Sequence, residues 1–180
     1  MLVFMAEKNR LISDFYELTV QQIMDKRIWD LPLVEEKENI SHVLSILGGR
    51  NHIWVVRSKS NREILGVITE HDVLSILAPK NFPSYVFGMP DIRSLQHGTA
   101  KTAKDIMCTK IISCEENNKV IEALQKMVKY KLRRLPVLKD GIIIGELTLH
   151  QLIRKYYAAT QYHPLIDEEN STIEGDDNGL

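Results

Sequence analysis

Gly66-Val67-Ile68-Thr69-Glu70-His71-Asp72 and Gly145-Glu146-Leu147-Thr148-Leu149-His150-Gln151 are two versions of one heptapeptide, one in each half of a 180-residue chain. Each follows an apolar, strand-like run and opens a helix-like run. Gly, Thr and His recur in the same places. A strand-to-helix turn repeated once per half marks a tandem duplication. It also sets a hydroxyl at a helix N-terminus, where backbone N–H groups can receive an anion.

Working outward, each turn is preceded by a predicted β-hairpin. Ile53-Trp54-Val55-Val56 pairs with Ile64 to Ile68 across a polar loop, and Leu135-Pro136-Val137-Leu138 pairs with Ile142 to Leu147 across Lys139-Asp140-Gly141. Asp-Gly is a tight-hairpin signal. Pro136 has no N–H to give to a ladder, so its strand is expected to be short or at an edge. Before each hairpin lies a helix with one apolar face: Ile40, Val43, Leu44 and Leu47, then Val120, Ala123, Leu124 and Met127. Both follow the i, i+3, i+4, i+7 spacing of a helix with one buried side. Earlier still, Thr19 to Met24 and Thr102 to Met107 each end in Ile-Met, followed by short extended pieces at Arg27-Ile28-Trp29 and Lys110-Ile111-Ile112. Each repeat therefore reads strand, helix, strand, strand, helix.

Composition bounds the function. Hydrophobic content of 44%, charged content of 26% and a net charge of -1 describe an ordinary globular chain with no global field toward nucleic acid or membrane. No apolar run approaches the roughly 20 residues of a spanning helix. The N-terminal segment lacks the basic region of a signal peptide. Cys108 and Cys114 have no partners at metal-ligand spacing and read as reduced thiols of a cytoplasmic protein. No phosphate-binding glycine loop, zinc-protease motif or nucleophile elbow is present, so no catalytic and no metal-ligating residues are assigned.

The ordered set of Ile-Met opening, Leu132-Arg133-Arg134-Leu135-Pro136-Val137 strand and Gly-x-x-Thr-x-x-Asp turn, occurring twice, resembles a tandem CBS-domain pair (cystathionine-β-synthase-type repeats, a Bateman module). The resemblance implies an α/β (α+β) fold of two βαββα repeats in pseudo-two-fold arrangement. The expected layout is an N-terminal helix at 1–18, repeats at 19–77 and 102–157, a linker at 78–101 and a mobile acidic tail at 158–180. It further implies a non-catalytic regulatory module, often a homodimer, that binds an adenosine nucleotide between its repeats. AMP is the simplest ligand, ADP or ATP are also possible ones, and S-adenosylmethionine or NAD are less favoured. No cofactor is required, and the effector protein that reads the signal is unknown.

Carried over by position, the resemblance gives the first turn Val67, Thr69, His71 and Asp72, with Ile111, Ile112, Leu132 and Arg133 from the other repeat. The second turn has Glu146, Thr148, His150 and Gln151, with Ile28, Trp29 and Asn51 opposite. Arg50, His52, Arg133 and Arg134 are the phosphate candidates. The chemistry suits these roles: a carboxylate accepts from both ribose hydroxyls, and Arg with a helix N-terminus suits a phosphate. Gln151 departs from the pattern, because it carries no charge and adds two donors, so the second site is expected to be weaker or empty.

Plainer readings stand beside these. Thr-x-x-Asp and Thr-x-x-Gln also fit, or nearly fit, a capping box, which needs no ligand and is compatible with one. Lys126, Lys129, Lys131, Arg133 and Arg134 can be a solvated helix end, and nucleic acid is disfavoured because no aromatic platform accompanies them. Trp54 reads as packing. The alternative function is an interaction or dimerisation scaffold with vestigial pockets.

Overall fold

The computed structural model describes residues 2–77 and 100–161, with the side chains of residues 10–74, 76–77 and 100–160. The linker, apart from its last two residues, and the acidic tail from residue 162 lie outside the described residues. The elements are α1 (Leu2–Glu17), β1 (Leu33–Glu35), α2 (Ile40–Leu47), β2 (His52–Val56), β3 (Ile64–Thr69) and α3 (Glu70–Leu77). They continue with β4 (Cys114–Glu115), α4 (Val120–Tyr130), β5 (Arg134–Lys139), β6 (Ile142–Thr148) and α5 (Leu149–Gln161). The expected order of two strand-helix-strand-strand-helix repeats is present, in two three-stranded sheets ordered β1-β2-β3 and β4-β5-β6.

The first strand of each repeat is not where the sequence puts it. Ile28–Asp30 is a 3-10 turn, not extended, and β1 begins only at Leu33. The Arg27 backbone N–H and guanidinium both bond to the Asp25 carboxylate, the former at 2.9 Å, and Leu31 N–H closes the turn on Ile28 O at 3.2 Å. A side-chain acceptor thus competes with the ladder for the backbone. Lys110 to Ile112 is likewise irregular, and β4 starts at Cys114.

Pro136 is a second correction, since it sits in the central strand β5 and is buried. In the first sheet the matching residue, Trp54, donates its N–H to Pro32 O at 2.9 Å. Proline has no such donor. The neighbour of β5 is correspondingly only two residues long, whereas β1 has three.

The chain divides into two compact units that cut across the repeats. The sheet unit comprises, among the described residues, 25–77, 100–113 and 136–146. In it β1 runs parallel to β2, and β2 antiparallel to β3 with His52 opposite Thr69 and Trp54 opposite Val67. Alternation sends Ile53 and Val55 to one face, where they meet Val34, Val43, Ile68 and Ala103 in a fully buried cluster. Each Val or Ile side chain of the cluster contributes about 1.5–3 kcal/mol on burial. The other face carries Trp54 and Val56, packed with Ile143 and Leu138 of the second hairpin. That hairpin turns through Asp140 and Gly141 at φ of 52° and 78°, as the Asp-Gly pair predicts.

The helical unit holds, among the described residues, 2–24, 114–135 and 147–161. Here α1 packs on α4 and α5. Phe15 meets Tyr156 edge-on at 5.4 Å, and Lys119 pairs with Glu17. Val120 N–H donates to Leu18 O at 2.8 Å and Val20 N–H to Asn118 O at 2.9 Å. Helix α4 ends on Lys131 in the left-handed region (φ 55°), with Leu132 N–H bonded to Met127 O. Helix α5 runs to Gln161, past the expected start of the tail.

Thr19 and Thr102 cap the two short turns that open the repeats, each through a capping box. Asp105 Oδ2 accepts from the Lys101 and Thr102 N–H groups at 2.8 and 2.9 Å, and these bonds hold its carboxyl below the usual value of 3.8. The Arg27 side chain does the same for Asp25. A depressed carboxylate adds stability that is present above its unfolded value and is lost as pH falls through its folded one. The urea midpoint is therefore expected to fall once the pH drops below 3.8, and Asp105→Asn is expected to shrink that pH dependence in parallel urea titrations.

Candidate functional site

The two repeated turns are built alike. In the sheet unit, Thr69 precedes α3, and its N–H and Oγ1 both donate to Asp72 Oδ2 at 2.7 Å. In the helical unit, Thr148 N–H donates to Gln151 Oε1 at 2.7 Å and Gln151 N–H to Thr148 Oγ1 at 3.3 Å. In both, the side chain three residues on accepts from the threonine N–H, so an amide does the capping work of a carboxylate in the second. The charge differs. At the capping position the first turn carries an anion, Asp72, half-buried at the start of a helix, and the second an uncharged amide.

Around the first turn, Val67 exchanges backbone bonds with Cys108 at 3.0 and 2.9 Å. This brings the segment leading to Ile111 and Ile112, both half-buried, alongside β3. His71 is exposed. The remaining residues of this set, Leu132 and Arg133, and the further phosphate candidate Arg134 lie in the helical unit. There Arg133 is exposed and its carbonyl accepts from Leu149 N–H at 2.8 Å. Among the described residues no ion pair engages its guanidinium.

The candidates of the second set fall in both units. His150 is exposed and Gln151 half-buried in the helical unit. In the sheet unit Ile28 is half-buried, Asn51 exposed, and Trp29 is 83% exposed on its 3-10 turn. Arg50 is bonded to Asp30 at 2.7 Å. His52 is buried, with Nε2 2.8 Å from Glu146 Oε1, and Glu146 is buried too. The two groups are within ion-pairing distance, and neither ring nitrogen makes an aligned hydrogen bond. Trp54 stands edge-on to the imidazole at 5.1 Å, itself buried as its packing role requires. Asp25 and Glu146 exchange backbone bonds at 2.8 and 3.1 Å.

The pairing of His52 with Glu146 was not visible in the sequence. Its one signal is that each is a polar residue inside an otherwise apolar strand, and such residues need a partner when buried. Of the two thiols, Cys114 is buried and pushed up to about 11 by that burial, so it is inert at neutral pH. Among the described residues no group of three or more His, Cys, Asp or Glu side chains converges as a metal site. No described helix is long and apolar enough to cross a membrane.

Two duplicated, capped strand-to-helix turns on three-stranded sheets define a tandem repeat, and comparison with known proteins gives its family. The CBS domain matches residues 20–79 and 103–158, and the chain belongs to that family. An uncharacterised protein of Methanopyrus kandleri is 31% identical over 62% of this chain and 50% of its own length. The chain spans about half the length of the first curated relatives it matches. Among solved structures, CBSX2 in complex with AMP superposes with a TM-score of 0.63 at 22% identity, covering 79% of this chain and 98% of that one. The CBS domain of a bacterial CNNM/CorC family Mg2+ transporter in complex with ATP gives 0.60 at 19% identity, covering 84% and 96%. These similarities show the fold to be that of a CBS pair.

Proposed function

We propose that the chain is a non-catalytic regulatory module that binds an adenosine nucleotide, most simply AMP, in a cleft between CBS repeats at 19–77 and 102–157. The observation that carries this reading is the first turn. Asp72 sits at the start of α3 with its carboxylate already organised by Thr69. An ionised carboxylate beside a helix N-terminus can take two ribose hydroxyls while the helix end faces a phosphate. The AMP and ATP complexes of proteins with this fold support the ligand class. Signalling follows by population shift: a ligand that bridges both repeats favours one arrangement, and an effector protein reads the difference. A cytoplasmic homodimer is the form in which we expect this to operate.

The exposed Trp29, Val128 and Tyr157 favour the second reading, a scaffold that works through protein contacts. Calorimetric titration with AMP, ADP, ATP, S-adenosylmethionine and NAD separates the two. One nucleotide per chain is the expected result. Absence of heat with every ligand, at protein concentrations that reveal tens-of-micromolar affinity, leaves the scaffold.

A further inference from the structure

Charge is unevenly placed along the chain. All 23 Lys and Arg precede residue 162, whereas six of the 24 Asp and Glu follow it: Asp167, Glu168, Glu169, Glu174, Asp176 and Asp177. The net charge of -1 therefore divides into +5 for residues 1–161 and -6 beyond them. Within the helical unit the imbalance is concentrated, since 123–135 and 147–161 carry seven Lys or Arg and no acid.

Helix α5 presents part of this charge beside an exposed apolar stripe. One side of the helix faces inward, with Leu152 buried and Tyr156 against Phe15 of α1. On another, Leu149, Ile153 and Tyr157 stand four residues apart and are 36%, 57% and 63% exposed. Arg154 and Lys155 are exposed next to Ile153. The start of α5 abuts the basic end of α4: Leu149 N–H donates to Arg133 O at 2.8 Å, and Lys131 and Arg133 are both exposed. Among the described residues none of Lys131, Arg133, Arg154 and Lys155 has an ion-pair partner.

The sequence beyond α5 matches this face in composition, order and reach. Leu165 and Ile166 come first, then Asp167 to Glu169, then Ile173 with Glu174, Asp176 and Asp177. Helix α5 is about 20 Å long at about 1.5 Å per residue, and Lys155 lies about 9 Å back from its end. Asp167 is six residues past Gln161, a reach of up to about 20 Å, and Asp177 is sixteen past it, a reach of up to about 50 Å. The first acids can therefore return to Arg154 and Lys155, and the last to Lys131 and Arg133. A tether this short supplies an effective concentration on the order of millimolar, so surface ion pairs that are individually weak suffice together.

We propose that the segment Leu165–Asp177 docks back on its own helical unit. Its apolar residues cover Ile153 and Tyr157, and its carboxylates pair with Arg154 and Lys155 and with the basic end of α4. Docked, it occupies a face that a protein or an anionic partner would otherwise use, so such a partner has to displace it. The docking does not depend on nucleotide binding.

The test is carbodiimide coupling of the full chain, which joins a carboxylate to a lysine amine only where the two touch, with the joined peptides mapped by mass spectrometry. A mixture of chains grown in heavy and in ordinary nitrogen separates coupling within one chain from coupling between two. The Glu17–Lys119 pair is the internal standard. Within one chain, Asp167 to Asp177 are expected to couple to Lys155 and to Lys129 or Lys131, with the yield falling about tenfold in 1 M salt, where screening acts within about 3 Å. Arg154→Gln, at an exposed position, is expected to lower the tail–Lys155 yield severalfold and leave the standard unchanged. Coupling of these acids mainly to lysines of the sheet unit, or only between heavy and ordinary chains, overturns the proposal. So does a chain that couples at the standard and nowhere in the tail, or a tail yield that neither salt nor Arg154→Gln lowers.

Discussion

Asp72→Ala is expected to weaken AMP binding about a hundredfold or more. Two hydroxyl hydrogen bonds to a charged acceptor contribute about 1.5–3 kcal/mol each, and every 1.4 kcal/mol is tenfold in affinity. The same change removes the acceptor for Thr69 N–H and Oγ1, which costs about 0.5–2 kcal/mol of stability. The two effects are separable, because the protein already contains an amide doing the capping: Gln151 accepts from Thr148 N–H at 2.7 Å. Asp72→Asn is therefore expected to keep most of the stability and still lose most of the AMP affinity. Urea unfolding reads the first and calorimetry the second. Full AMP affinity in a folded Asp72→Asn variant would falsify the ribose role of the carboxylate.

Gly66→Ala is expected to destabilise the protein by about 1–3 kcal/mol, as other overpacked sites do. A methyl group at Gly66 lies 2.9 Å from Cys108 O and 2.9 Å from Met107 Sδ. The methionine can swing aside, but the carbonyl is fixed by the paired bonds between Val67 and Cys108. In an ordinary strand the same change gains about 0.5–1 kcal/mol, since alanine loses less freedom than glycine on folding. Gly49→Ala is the control, with nothing within 4 Å of the added carbon. Comparison of the urea midpoints checks both, and equal midpoints remove the close approach as the reason for glycine at 66.

Much of the fold was legible because its signals are local. The Asp140-Gly141 turn, the one-sided helices and the caps at Thr69 and Thr148 each follow from residues within four positions of one another. The errors came where a distant or competing partner decides. Arg27-Ile28-Trp29 carries two strand-forming residues, yet the bonds of Arg27 to Asp25 go with a 3-10 turn at Ile28–Asp30. Pro136 looked like an edge residue because a ladder was assumed to need its N–H, whereas the central strand loses one rung and its neighbour is short. At the candidate site the turn residues were readable from the repeat itself. The burial of His52 against Glu146 was not, since β2 and β6 are far apart in sequence and only folding brings them together.

The clasp between the N-terminal segment and the second repeat also sets a schedule for synthesis. Glu17 and Lys119 meet across 102 positions, and Leu18 waits for the N–H of Val120. Helix α1 therefore leaves the ribosome well before the surface it covers has been made. Closing so long a loop adds little to the free-energy cost, which grows only logarithmically with length. It does add delay, because contacts of high sequence separation slow folding. During that interval Phe15 faces water, so the nascent chain is most open to aggregation and to chaperones before α4 and α5 have emerged.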